Sequence, residues 1–189
     1  LVFHKMGDVV ISNSDNILLS KLIGIEIVGV YANYILITNA LNTVFGSMFQ
    51  AITASIGNLG VTESERKSEF IFECVNFIGF WIYGFASICL VILLNPFIEL
   101  WIGKDFLLSM TIVIAFVMNF YLTGMRKSTL TFCDALGLYW FDRFKPLIES
   151  IIKIGLSFYL INKLGILGAF IGTSISTMLT CFWIEPYVL

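Results

Sequence analysis

The amino-acid sequence predicts an all-α membrane protein, a polytopic bundle of about six transmembrane helices. Of its 189 residues, 58% are apolar and only 13% are charged, and the mean hydropathy is +0.93. An average soluble domain has about 45–50% apolar and about 25% charged residues, so this chain has too little charge to cover a surface in water. The net charge of −2, with 11 Lys and Arg residues, gives no basic face and excludes a nucleic-acid-binding protein.

Four long segments of the chain contain no formal charge. They have 36, 25, 20 and 21 residues and lie between Glu26 and Glu63, Glu73 and Glu99, Asp105 and Arg126, and Lys163 and Glu185. A helix of about 20 mostly apolar residues crosses the hydrocarbon core of a bilayer. We therefore predict one membrane span in each segment.

Two further segments, near residues 5–23 and 144–162, are apolar apart from a few charges. A helix with one polar side can cross a membrane if that side faces protein or a water-filled cavity. The predicted spans are therefore 5–23, 28–57, 69–95, 107–135, 144–163 and 166–187, all in one six-helix domain that covers residues 1–189. We expect the long second span to tilt or to project beyond the membrane. Because the chain lacks an initiator Met and ends beside a span, we also expect it to be a piece of a longer protein.

The sequence contains no pattern that is typical of catalysis. The only histidine is His4, so a His-dependent triad or a His-rich metal site within this chain is excluded. There is no P-loop and no HExxH motif. The four cysteines stand singly and form no CxxC pair; they are Cys74, Cys89, Cys133 and Cys181. We predict that the chain is not an enzyme and holds no cofactor or metal.

Polar residues within the predicted spans form the candidate site. In the first span, Asp15 shares one helical face with Asp8 and Ser12. In the fifth span, Glu149 and Lys153 are four residues apart, a spacing that favours an ion pair on one helix. In the second span, small and polar residues recur every three or four positions, namely Asn39, Asn42, Thr43, Gly46, Gln50, Thr53 and Gly57.

These polar faces indicate a cavity that a hydrophilic solute could cross. A charged side chain at membrane depth costs at least about 2.5–3.5 kcal/mol, so it normally faces a bundle interior or an aqueous path. Structural roles remain open as alternatives. Polar residues also join helices by hydrogen bonds, Glu149 and Lys153 could neutralise each other, and Asp8 could lie in water at the interface.

Small residues in the last predicted span favour close contact with another helix. Gly165, Gly168, Gly172 and Ser176 follow one another at intervals of three and four residues. Such spacing lets two helix backbones approach closely. A sliding surface between moving helices is the functional alternative.

Four stretches of the chain, in register, resemble the second half of bacterial polysaccharide flippases. These flippases are the Wzx-like members of the multidrug/oligosaccharidyl-lipid/polysaccharide exporter superfamily. The stretches are Asp15–Tyr34 (DNILLSKLIGIEIVGVYANY), Pro96–Phe106 (PFIELWIGKDF), Ala135–Gly137 leading into Leu147–Glu149, and Gly165–Ser176 (GILGAFIGTSIS) ahead of Trp183 and Pro186. The resemblance covers almost the whole chain.

The resemblance implies a two-lobed transporter that works by alternating access, with this chain as its second lobe. The implied substrate is an undecaprenyl-pyrophosphate-linked oligosaccharide, flipped across the bacterial cytoplasmic (inner) membrane for O-antigen or capsule biosynthesis. The implied partners are membrane lipid, the first lobe of the same protein and a polysaccharide polymerase. The candidate residues are Lys153 and Arg126 for the pyrophosphate, Asn39, Asn42 and Gln50 for the sugars, and Asp15 for ion coupling.

Two other functions fit the same sequence. A multidrug or cation exporter of the same superfamily would have a cavity dominated by carboxylates. A membrane scaffold in envelope assembly would use its polar faces only for contacts between helices. Replacement of Lys153 and Asp15 distinguishes them, because transport should fail in an exporter and a scaffold should keep its role.

Overall fold

Helices make up almost all of the chain that the structure describes. The structure is a computed structural model and describes residues 15–62, 64–137 and 145–188. Helix α1 includes residues 15–22. It is followed by α2 (Ile25–Thr62), α3 (Glu65–Trp101), a 3-10 turn (Lys104–Phe106), α4 (Met110–Leu136), α5 (Lys145–Leu164) and α6 (Ile166–Val188). The described residues contain no strand, which confirms the predicted all-α class.

The helix boundaries differ from the predicted spans at α2, α3 and α4, and α2 and α3 are longer than predicted at both ends. Helix α3 continues past the predicted end at residue 95, because Pro96 is accommodated inside the helix. Helix α4 begins at Met110 and not at 107, since Leu107 and Ser109 have extended backbone angles. Of the first predicted span, residues 5–14 lie outside the described part of the chain, and this includes Asp8 and Ser12.

Two glycines with positive φ lie at the ends of α4 and α5. Gly137, with φ of 71°, follows α4 and donates its N–H to the carbonyl of Cys133. Gly165, with φ of 62°, donates its N–H to the carbonyl of Ile161 at 2.9 Å and separates α5 from α6. Glycine adopts this left-handed conformation without the steric cost of a Cβ atom. The turn at Gly165 makes α5 and α6 an antiparallel hairpin.

Helix α4 is the centre of the packing. It contacts α2, α3 and α6, whereas α5 packs mainly against α6. The apolar residues that the first half of α4 buries are spaced by three and four positions, which places them on one face of the helix. They are Val113, Phe116, Val117 and Phe120.

Aromatic rings join α2, α4 and α6 at the centre of the core. The rings of Tyr31, Phe116 and Phe170 form a triangle with centroid distances of 5.7, 5.2 and 5.6 Å. Edge-to-face and tilted arrangements at such distances contribute about 0.5–1.5 kcal/mol per pair beyond the area that they bury. This cluster holds the three helices together on one side of α4.

Glycine allows unusually close contacts at two helix interfaces, between α3 and α4 and between α5 and α6. A Cβ atom on Gly124 of α4 would overlap the ring of Tyr83 from α3. A Cβ atom on Gly168 would overlap the backbone carbonyl of Leu160, and one on Gly172 would lie 2.8 Å from the Ser157 hydroxyl oxygen. The prediction that small residues bring α6 close to another helix is therefore confirmed, and that helix is α5.

In the part of the chain that the structure describes, two helices, covering Ile25–Leu59 and Arg66–Trp101, are long and apolar enough to cross a membrane. The core helix of a soluble protein would be mostly buried. In these two helices only 11% and 22% of the most apolar 18-residue window is buried inside the protein. The exposed side chains of α3 include Phe70, Phe77, Trp81 and Phe85, so its outer face is apolar and aromatic. Such a surface suits lipid or another apolar helix better than water.

A closed set of hydrogen bonds connects α2, the end of α3 and the loop before α4. The Tyr34 hydroxyl donates to Asn95 Oδ1 at 2.7 Å and accepts the Leu108 N–H at 2.9 Å. Asn95 Nδ2 donates to the Leu108 carbonyl at 3.0 Å. Tyr34 is fully buried, so each of these polar groups depends on its partners and not on water.

We expect Tyr34→Phe to lower the free energy of unfolding by about 1–3 kcal/mol, because the Leu108 N–H and the Asn95 amide each lose a buried partner. The measurement is unfolding of the purified protein in mixed detergent micelles. Tyr159→Phe is the matched control, since Tyr159 is 57% exposed. Equal stabilities for the two variants would contradict a structural role for this hydrogen-bonded set.

We also expect Gly168→Ala to destabilise the α5–α6 hairpin by about 1–3 kcal/mol, because the added methyl group would press on backbone that cannot rotate away. Gly155→Ala is the control on the same hairpin, since a Cβ atom there meets nothing within 4 Å. The control should be neutral or slightly stabilising, as alanine is the better helix former. Thermal unfolding of both variants checks this, and a stable Gly168→Ala protein would refute the close contact.

Candidate functional site

Two ion pairs place four charged side chains inside the helical bundle. Lys153 Nζ of α5 lies 2.9 Å from Asp15 Oδ2 of α1. Arg126 Nη1 of α4 lies 3.1 Å from Glu149 Oε1 of α5. Lys153 and Glu149 are each only 4% exposed. Helix α5 therefore carries one member of each pair and connects two other helices through charge.

The Arg126–Glu149 pair has a two-point geometry. Arg126 Nη1 donates to Oε1 at 3.1 Å, and Nη2 donates to Oε2 at 3.4 Å. The Thr177 hydroxyl of α6 also donates to Oε1 at 3.4 Å, and the Ser176 hydroxyl donates to the Glu149 backbone carbonyl at 3.0 Å. The planar guanidinium matches a carboxylate in this way, and it would match a phosphate oxygen pair equally well.

The Asp15–Lys153 pair is completed by α6. The Thr173 hydroxyl donates to Asp15 Oδ2 at 3.4 Å, so that oxygen accepts from both α5 and α6. The other carboxylate oxygen, Oδ1, is buried and has no hydrogen-bond partner among the described residues. One oxygen of this carboxylate therefore has two partners, and the other has none among the described residues.

The spacing of Glu149 and Lys153 favours an ion pair within α5, which the sequence left as one alternative. The partners that the structure gives them instead belong to α4 and α1, namely Arg126 and Asp15. Side chains four residues apart on a helix share a face, so both reach into the same interior region. A cross-helix partner can satisfy each charge without bending the two long side chains toward each other.

Neutral hydrogen bonds also join α4 to α6 and to α3. Asn119 of α4 accepts from the Ser174 hydroxyl at 2.7 Å and donates to the Phe170 carbonyl at 3.0 Å, both on α6. On the other side of α4, the Ser128 hydroxyl donates to Asn76 Oδ1 of α3 at 2.8 Å. These contacts join helices, which is one of the structural roles that the sequence left open.

The polar residues of α2 lie apart from this interior network. Asn39 and Gln50 are exposed and Asn42 is half-buried. The hydroxyl of Thr43 donates to the Asn39 carbonyl of its own helix at 2.8 Å. Within the described residues, the structure places no hydrogen bond between these amides and the ion pairs. The candidate residues therefore form two groups, a buried charged group on α1, α4 and α5 and an open polar face on α2.

Sequence reasoning did not find Thr173 or Thr177 as members of the site. Thr173 and Thr177 are four residues apart among the small residues of α6, a signal that could have marked a polar face there. The pairing of Glu149 with Arg126 had no such signal. It depends on the rotation of α4 and α5 about their axes, which a periodic pattern does not specify.

The charges differ in their access to the surface. The side chain of Arg126 is 18% exposed, compared with 4% for Lys153. When one member of a buried ion pair leaves, the other charge remains buried without a counter-charge. Either cation can therefore bind an external anion only if its carboxylate partner finds another cation, a proton or water. Arg126 is the cation that an anion entering the bundle reaches more easily.

We expect Arg126→Ala to lower the free energy of unfolding by about 3–5 kcal/mol, because Glu149 would remain buried without its counter-charge. The double variant Arg126→Leu/Glu149→Leu should lose much less than the sum of the single variants, since it leaves no buried charge. Unfolding in mixed micelles, analysed as a double-mutant cycle, provides the measurement.

The matched control is Lys104→Ala. Lys104 Nζ lies 3.4 Å from Glu99 Oε1, but the two side chains are 81% and 46% exposed. Exposed pairs contribute about 0–1 kcal/mol, so this variant should unfold almost like the native protein. If Arg126→Ala and Lys104→Ala cost the same, the Arg126–Glu149 pair is not buried as described.

Comparison with known protein families, curated proteins and solved structures gives no significant match to this chain. The resemblance to polysaccharide flippases therefore depends only on the four stretches of sequence quoted above. The function follows as a proposal from these stretches together with the buried charges.

Proposed function

We propose that this chain is one lobe of a multi-pass transporter in the bacterial cytoplasmic (inner) membrane. It flips an undecaprenyl-pyrophosphate-linked oligosaccharide by alternating access, for the biosynthesis of O-antigen or capsule. The observation that carries this proposal is the pair of buried ion pairs in a bundle whose longest helices have apolar outer faces. Charges at that depth are costly and are typical of a path for polar solutes.

The composition and the outer surface support the membrane location. Helices α2 and α3 have 38 and 37 residues, and at 1.5 Å per residue each is about 55 Å long, compared with about 30 Å for the hydrocarbon core. The extra length supports the expectation that α2 tilts or extends beyond the bilayer. Membrane lipid is then the partner of the aromatic face of α3.

Arg126 and Lys153 are the cations that we propose for the pyrophosphate. The head group cannot enter hydrocarbon, because its charges and hydroxyls would lose their water. Arg126 offers the two-point geometry that suits phosphate oxygens, and Glu149 holds it in place until the substrate arrives. In this mechanism the protein binds and orients the head group, and the polyprenyl tail stays in lipid.

The open polar face of α2 is the proposed contact for the sugars. Asn39 and Gln50 are exposed and Asn42 is half-buried, so their amides can exchange hydrogen bonds with hydroxyl groups. In the two-lobed arrangement this face borders the cavity shared with the first lobe. Asp15 is the proposed ion-coupling carboxylate, and a polysaccharide polymerase is a further proposed partner.

A scaffold in envelope assembly is the second candidate function. The hydrogen bonds from Ser174 to Asn119 and from Ser128 to Asn76 favour it, because they use interior polar groups to join helices. A scaffold has no need of Arg126 as a ligand for anions, so functional assays separate the two proposals. A multidrug exporter has less support, since Asp15 and Glu149 each have a cationic partner.

The experiment is complementation of a strain that lacks its own flippase, using the full-length protein that contains this chain. We expect the native protein to restore surface polysaccharide, and Arg126→Ala and Lys153→Ala to reduce it by about tenfold or more. Arg126→Lys, which keeps the charge but not the planar fork, should be intermediate. Surface polysaccharide is measured by immunoblotting, with membrane insertion of each variant checked in parallel.

Lys163→Ala is the matched control on the same helix. Lys163 is exposed and lies over the ring of Tyr159, with Nζ 4.7 Å from its centroid, away from the ion pairs. This variant should restore polysaccharide like the native protein. No restoration by a correctly inserted native protein would overturn the flippase proposal in favour of the exporter or scaffold. Full restoration by Arg126→Ala and Lys153→Ala would remove both cations from the site.

A further inference from the structure

The Lys153 ammonium occupies a small buried cluster of oxygen atoms. Nζ lies 2.9 Å from Asp15 Oδ2, which also accepts the Thr173 hydroxyl at 3.4 Å. Asp15 Oδ1 is buried and has no hydrogen-bond partner among the described residues. One turn along α5 from Lys153, the Ser157 hydroxyl oxygen is also buried and lacks a partner in the same described part. The region therefore has more oxygen acceptors than the lysine satisfies.

Carboxylate and hydroxyl oxygens are the ligands that hard metal cations prefer. An ammonium group is a compact point charge, and it can stand in the place of a monovalent ion. The lysine differs from a free ion in one respect, because its stem fixes it to α5. A cation of this kind is always present and cannot be released.

We propose that Lys153 is a tethered counter-cation, which fills a site that would otherwise bind a free alkali-metal ion. The native protein then takes up no sodium at Asp15, because the chain itself supplies the positive charge, and this limits the ion-coupling role proposed for Asp15 to protons. Removal of the ammonium together with its stem leaves an anionic oxygen cluster with space for an ion. That cluster binds sodium, with Asp15 as the charged ligand and Thr173 as a neutral one.

An ordinary structural ion pair has a different consequence. If Lys153 only neutralises Asp15, its loss destabilises the protein to the same extent whichever salt is present. A tethered cation predicts that sodium restores part of the lost stability, because a ligand that binds only the folded state stabilises it. The inference depends on the geometry at Asp15 and not on the transported substrate, so its test needs no transport measurement.

The experiment measures the thermal unfolding of the purified full-length protein in detergent micelles. The salts are sodium chloride and choline chloride at equal ionic strength, and sodium alone is the probe. We expect the native protein to unfold at the same temperature in both salts. Lys153→Ala should unfold about 5 °C higher in sodium than in choline.

Two controls locate the ion. Lys153→Met removes the charge but fills the space of the stem, so it should show no response to sodium. Asp15→Asn/Lys153→Ala removes the charged ligand as well, and its response should disappear. Lys153→Ser provides a second variant with room for an ion and an additional oxygen, which is useful if the alanine variant folds poorly.

Three results would overturn the proposal. The first is equal unfolding temperatures in both salts for Lys153→Ala and Lys153→Ser. The second is a sodium response of the native protein that Asp15→Asn abolishes, because the lysine would then not be the resident cation. The third is a sodium response of Lys153→Ala that persists after Asp15 is replaced, because the ion would then bind elsewhere.

Discussion

The pairing of charges on α5 is the constraint on which the interior of this bundle depends. Glu149 and Lys153 stand one helical turn apart and reach Arg126 of α4 and Asp15 of α1. In each pair the α5 member is buried, so its partner cannot leave without leaving that charge uncompensated in an environment of low polarity. The four charges fix the rotation of α5 relative to both neighbours, and the hydroxyl groups of α6 complete them.

The apolar core and the glycine contacts bring these charges within reach of one another. Aromatic rings from α2, α4 and α6 hold one side of the central helix. At the contact between α5 and α6, Gly168 and Gly172 let α6 lie directly against α5. This close contact carries Thr173 and Thr177 to the carboxylates, because both follow the glycines along α6. The small residues of α6 therefore determine both how closely α6 packs against α5 and which hydroxyl groups reach the carboxylates.

Most of the fold could be predicted from the sequence, whereas the partners within the site could not. Long charge-free runs predict helices because an apolar segment in a bilayer must satisfy its own backbone hydrogen bonds, as a helix does. The glycines of α6 predict a close contact with another helix. The periodicity of α2 identified a polar face but did not indicate that Asn39 and Gln50 face outward. Arg126 and Glu149 are 23 residues apart and meet only through tertiary packing. Helix rotation and tilt, which decide such contacts, have no local signature.

The hydrogen-bonded set around Tyr34 is attached to α3 directly beside Pro96. Pro96 has no N–H, so α3 lacks one backbone hydrogen bond in the turn that precedes it. The adjacent Asn95 is tied to Tyr34 of α2 and to Leu108 at the entrance to α4. The turn of α3 that lacks a backbone hydrogen bond is therefore the turn that side-chain hydrogen bonds attach to α2 and to the loop before α4. If α3 bends there, the hydrogen bonds of Asn95 and Tyr34 should move the neighbouring part of α2 and the start of α4 together with it.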